Sequence, residues 1–153
     1  MKNAVIPLLV LYRITLFFCL STFMNPANAA DATVVKNQAQ IVYGYIAAFN
    51  TRDIDAMLEM VTDDVQWLSI DGDKITVEAK CKEVLRSSMV EYFKSCASCR
   101  SRLTHTFSTH RRVSALEVAS FETSTGVQEQ RSVSLYEFSN GLIKRVYYFP
   151  AEQ

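Results

Sequence analysis

From Arg100 onward the sequence is written almost wholly in β-forming residues, while the structured part ahead of it is helical apart from one short hairpin. That order leaves few folds open. Four strands follow one another, at about Arg102 to Thr109, Val113 to Thr123, Val127 to Phe138 and Leu142 to Phe149. Ser124-Thr125-Gly126 and Ser139-Asn140-Gly141 mark turns between them. Ahead of the strands, Val34, Ile41, Val42, Tyr45, Ile46 and Phe49 recur at three- and four-residue steps and predict an amphipathic helix. Asn50-Thr51-Arg52-Asp53 has the polar, capping character of a helix stop and restart, and Ile54, Met57, Leu58 and Val61 give a second, shorter helix. The runs Val65 to Ile70 and Ile75 to Val77, about Asp71-Gly72-Asp73, predict a hairpin. Val84, Leu85, Ser88, Met89, Tyr92 and Phe93 form the inner stripe of a third helix ending near Cys96. Three helices followed by consecutive antiparallel strands predict an α+β domain whose curved sheet packs its concave face on the helices. No repeat or linker divides it.

Residues 1–29 read as a secretory leader. Lys2 and Arg13 supply positive charge, Ile14 to Met24 is a short apolar run, and Ala27-Asn28-Ala29 is a small-x-small cleavage pattern. A membrane anchor is the competing reading, but Arg13 and Pro26 confine the apolar stretch to less than a layer of roughly 30 Å requires. A lipid anchor on Cys19 fits poorly, because Phe17 and Phe18 precede the cysteine where small residues are expected. Cleavage leaves a single domain, residues 30–153, in a periplasmic or secreted location, with no membrane attachment afterwards. Sixteen bases balance sixteen acids over the whole chain. This argues against a nucleic-acid partner or a surface held to lipid by basic charge.

The mature chain keeps Cys81, Cys96 and Cys99. An odd count in an oxidising compartment allows one internal disulfide, either Cys96 to Cys99 or Cys81 to one of them. The Cys96-Ala97-Ser98-Cys99 spacing also occurs in redox dithiols, but those sit at helix N-termini, and this one follows a helix end where the dipole disfavours thiolate. There is no second Cys-x-x-Cys to complete a zinc site, His105 and His110 fall on opposite faces of a strand, and Asp71-Gly72-Asp73 lacks the remaining ligands of a calcium loop. Neither a metal nor a cofactor is implied.

Two stretches carry a family likeness. Tyr45 to Asp55 followed by Val61-Thr62-Asp63-Asp64-Val65-Gln66-Trp67 resembles the opening of the nuclear transport factor 2-like superfamily. Leu135 to Phe149 resembles its last hairpin. Within the superfamily the chain is most similar to the SnoaL-like group, which includes polyketide cyclases, and is more distantly similar to ketosteroid isomerases. The resemblance implies a cone of helices wrapped in a strongly bent, mostly antiparallel sheet, an apolar cavity open at one end, and often a homodimer paired through the outer sheet face. Such folds host many activities, so function has to come from the site.

The same resemblance places Tyr45 where the isomerases have the tyrosine that donates to a developing oxyanion. It places Ser69 and Ser134 where they have two aspartates, the first a proton shuttle. A serine hydroxyl is no general base unaided, so the isomerases' own mechanism is not expected here. Strand alternation groups Glu117 with Val113, Ala115, Ala119 and Phe121, and the likeness turns that face inward. A carboxylate facing an apolar cavity is costly to keep charged unless a cation reaches it, and such a setting suits acid–base work. The structural alternative is an ion pair with Arg102 or Arg131. Trp67 shares the inward parity of Ser69, and Tyr136 that of Ser134, so both are expected in the cavity wall together with Phe121. Tyr45, Trp67 and Tyr136 can equally be core aromatics.

These readings converge on a cavity that binds a small hydrophobic molecule. Glu117 and Tyr45 are its candidate catalytic groups for proton transfer of the isomerase, dehydratase or cyclase type. The alternative is a non-catalytic binding or dimeric interaction module, for which Val133 and Leu135, opposite the serine face, are the motive.

Overall fold

A computed structural model describes residues 26–151. The predicted leader therefore lies outside the described residues, except for its last four positions, which belong to the first helix. Among the described residues no helix is long and apolar enough to cross a membrane.

The elements run α1 (Pro26–Thr51), α2 (Ile54–Glu59), β1 (Val61–Asp71), β2 (Lys74–Ala79), α3 (Lys82–Ser95), β3 (Arg100–Ser108), β4 (Arg112–Thr123), β5 (Gly126–Ser139) and β6 (Leu142–Phe149). One six-stranded sheet has the order β2-β1-β6-β5-β4-β3. Its neighbours pair antiparallel except β1 with β6, which pair parallel because the chain reaches the far half of the sheet through α3 and returns to the centre with its last strand. This is the α+β architecture expected, with three helices on a mostly antiparallel sheet.

Local chemistry explains the main boundaries. α1 buries Gln38, Val42, Tyr45 and Ile46 along one stripe. It stops where Arg52 adopts a left-handed backbone, φ 61°, so that the Asp53 N–H returns to the Ala48 carbonyl at 2.9 Å. Asp53 then caps α2, its Oδ1 accepting from the Ala56 N–H at 2.9 Å. The β5–β6 hairpin turns on Asn140 and Gly141, both at positive φ, the requirement of the tight turn whose twist matches the strands. Register shifts between Trp67 and Leu68, Leu103 and His105, and Glu137 and Phe138 interrupt three ladders, a feature that bends strands.

Val42, Tyr45, Met57, Leu85, Val113, Tyr136, Ile143 and Val146 are among the buried residues of a single core between helices and sheet. The exposed edge of β3 is closed by a side chain. Asn50 Nδ2 donates to the Ser101 carbonyl at 2.7 Å, and Asn50 Oδ1 accepts the Ser101 N–H at 2.8 Å. The amide thus mimics a neighbouring strand and fastens the end of α1 to the sheet edge.

Asn50→Ala leaves a backbone donor and acceptor of Ser101 without these partners. We expect it to lower unfolding free energy by about 1–3 kcal/mol in urea titration with an unchanged slope. No measurable loss would show that the clip contributes nothing.

Candidate functional site

A cavity of about 670 Å³ opens between the sheet and α3. Its lining includes Tyr45 and Phe49 from α1, Trp67 and Ser69 from β1, and Glu117 from β4. Leu85, Ser88, Met89 and Tyr92 of α3 face it from the other side. β4 carries Glu117 inward because Val113 and Ala115, four and two residues earlier, share its face and are buried in the core.

Glu117 is half-buried, and both of its oxygens are held by hydroxyls. Ser101 Oγ on β3 donates to Oε1, and Ser134 Oγ on β5 donates to Oε2 at 2.9 Å. The ion pair that sequence left open is not formed. Arg102 reaches Glu129 instead, and both Arg102 and Arg131 stand opposite Val118, one residue out of phase with Glu117 and hence on the other face. Among the described residues no cation forms an ion pair with Glu117.

Tyr45 is 1% exposed and its hydroxyl has no hydrogen-bond partner. Burial first, and the Glu117 charge second, push its phenol far above the ordinary range, so it remains a neutral donor. Its ring lies 6.2 Å from Trp67. Tyr92, across the cavity on α3, is raised for the same leading reason, with Tyr148 and Glu117 adding to it. What these groups can do together is accept a proton or hydrogen bond at Glu117 and donate one from Tyr45, in a space walled by aromatic rings.

Not every expected residue reaches the cavity. Trp67, Ser69, Glu117 and Tyr45 do. Tyr136 does not: it is fully buried, paired across the sheet with Val113 and Val146, and packed edge-on to Tyr45 at 6.5 Å. It sits deeper, inside the core. Ser134 is also fully buried and serves Glu117 instead of lining the space. Phe121 is a correction of a different kind. β3 begins at Arg100, which pairs with Ser120, so Phe121 lies just beyond the paired stretch and Ala119 is the last residue of its face on the cavity. Cys96 and Cys99 form the disulfide at the α3–β3 turn and leave Cys81 free.

Sequence reasoning misses Ser101, because it begins the strand at about Arg102, two residues after its start at Arg100, and it treats the α3 stripe as core. Parity with Leu103 before the bulge could have found Ser101.

The model of the SnoaL-like domain matches residues 42–146. The chain belongs to the SnoaL-like family. Solved structures similar to this family member share its fold at low identity. One is a nuclear transport factor 2-like protein of unknown function from Burkholderia pseudomallei, 19% identical, TM-score 0.62, covering 73% of this chain and 88% of that one. Another is a proposed polyketide cyclase from Xanthomonas campestris, 21% identical, TM-score 0.57, covering 76% and 91%. A third is RV0760c from Mycobacterium tuberculosis in complex with estradiol-17beta-hemisuccinate, 16% identical, TM-score 0.62, covering 73% and 92%. No curated protein matches this SnoaL-like chain by sequence.

Folding keeps the buried phenols of Tyr45 and Tyr136 protonated, whereas an unfolded tyrosine loses its proton near pH 10. Their contribution is therefore complete below about pH 10 and is lost as pH rises above it, by about 1.4 kcal/mol per pH unit for each tyrosine. Denaturant titrations from pH 9 to 11 should show this fall, and Tyr136→Phe should make it shallower. A slope unchanged by that substitution would contradict the assignment.

Proposed function

We propose that this SnoaL-like protein is exported by its leader, residues 1–29, and that its cavity takes up one small hydrophobic molecule with which Glu117 exchanges a proton. The reaction class is isomerase, dehydratase or cyclase. The observation that carries this reading is a carboxylate facing the cavity whose oxygens are fixed by Ser101 and Ser134 rather than neutralised by a cation. Fixing by hydroxyls orients the group and leaves it basic lone pairs for a substrate proton. Tyr45 supplies the neutral donor for an oxygen on the substrate, its hydroxyl having no other partner. Ser69 lines the wall and takes no proton-transfer role. That a relative in fold holds a steroid ester agrees with a cavity of this size.

The test starts from what co-purifies with the protein from its native host. Once a substrate is in hand, Glu117→Gln should lower kcat by about 10²-fold or more, with saturable quenching of Trp67 fluorescence retained. Turnover unaffected by the substitution removes Glu117 from the chemistry. Recovery of the ligand unchanged after prolonged incubation with the wild type favours the non-catalytic binding module.

A dimer is favoured by a separate observation. The outer sheet face exposes Phe107, Val133 and Phe149 at 70%, 48% and 40%, with Leu135 and Tyr147 between the last two strands, an apolar surface of the kind that marks an interface. We expect sedimentation equilibrium to give twice the chain mass, and Val133→Glu to give the single mass. A wild-type monomer at high concentration would end this reading.

A further inference from the structure

The walls of the cavity carry an unbalanced charge. Glu78, Glu91 and Glu117 line it against one guanidinium, that of Arg100. Arg100 is turned toward the α3–β3 connection, where its Nη1 donates to the Cys99 carbonyl at 2.7 Å, and Glu91 at the rim is paired with Lys94 at 2.8 Å. Deeper in, Glu117 has hydroxyl partners and, among the described residues, no ion pair. Around it stand Tyr45, Trp67 and Tyr92, whose ring faces are the negative side of their quadrupoles. The field is felt by the side chains themselves: Glu117 contributes to raising the phenols of Tyr45, Tyr92 and Tyr136 after burial has done so.

A second observation points to a ligand independently of charge. Tyr45 lines the cavity, and its hydroxyl, almost fully buried, has no partner among the described residues, so a small shift of the ring would offer it to a ligand beside Glu117. A phenol oxygen can accept as well as donate, so an N–H beside Glu117 can engage both groups.

We infer that the cavity selects a cationic amphiphile: a protonated amine on a flat apolar body, with the ammonium between Glu117 and the Tyr45 hydroxyl and the body against Ile46, Leu85 and Met89. An anionic ligand is disfavoured there, since its charge would meet Glu117 while the one lining guanidinium, Arg100, is turned away to the Cys99 carbonyl. This inference rests on the cavity being the binding site, as proposed above, and is independent of whether Glu117 transfers a proton.

Three probes of one shape separate the possibilities: 2-naphthylmethylamine, 2-naphthylmethanol and 2-naphthoate, titrated by calorimetry at neutral pH and low salt into the protein as its host processes it. The amine should bind at least about tenfold more tightly than the alcohol, and the naphthoate should bind more weakly than either. In Glu117→Gln the amine should lose its advantage over the alcohol. If that variant does not fold, raising salt from about 20 to about 300 mM on the wild type should weaken the amine and spare the alcohol. An alcohol that binds as well as the amine, or a naphthoate that binds better, overturns the charge selection while leaving the cavity as a binding site. Binding by none of the three overturns both.

Discussion

The Glu117 carboxylate is held by hydroxyls from the strands on either side of it, and the arrangement of the site follows from that choice of partners. An arginine would have filled the space beside it and cancelled its charge. Ser101 and Ser134 do neither: they are small, neutral, and each spends one hydrogen on one oxygen. The cost of keeping an acid near aromatic walls is thus lowered by hydrogen bonds without closing the cavity. The hydroxyls depend in turn on the edge of the sheet staying in place, and that edge is fastened to α1 by the two-bond amide clip of Asn50. The end of α1, the β3 edge and the acid form one mechanical chain.

The division of the interior into core and cavity has an equally local cause. Toward the middle of the sheet, Val113, Tyr136 and Val146 stand side by side across three strands and pack solid beneath α1. Farther along β4, small residues replace them: Ala119 follows Glu117 on the inner face, and Ser132 stands opposite the acid. With little side-chain volume there, α3 closes over a space that its own Leu85, Ser88 and Met89 border without filling. The chemistry of the site is therefore inseparable from a step in side-chain size along one strand.

Much of this was legible in the linear pattern. The helical stripe of α1, the break at Asn50 to Asp53, the Asn-Gly hairpin and the order of strands follow from periodicity and turn chemistry, which are properties of near neighbours in sequence. Alternation also grouped Glu117 with Val113 and Ala115, and Trp67 with Ser69, and the family resemblance turned those faces inward. The failures share a cause. Phe121 and Tyr136 have the right parity yet miss the cavity, because parity gives a face and says nothing of where along that face the packing ends. Ser101 and the α3 stripe were passed over because their importance lies in partners sixteen or more positions away.

Sequence alone determined the elements, their order and which residues share a face with the acid, since each is encoded by spacing within a few residues, and the family resemblance turned that face inward. Tertiary structure alone decided that Glu117 is answered by two serines and, among the described residues, by no arginine, that Cys96 takes Cys99 and leaves Cys81 free, and that the hollow lies beneath α3. Those outcomes turn on distances between strands and on the volume left among side chains, and neither quantity exists until the sheet has paired.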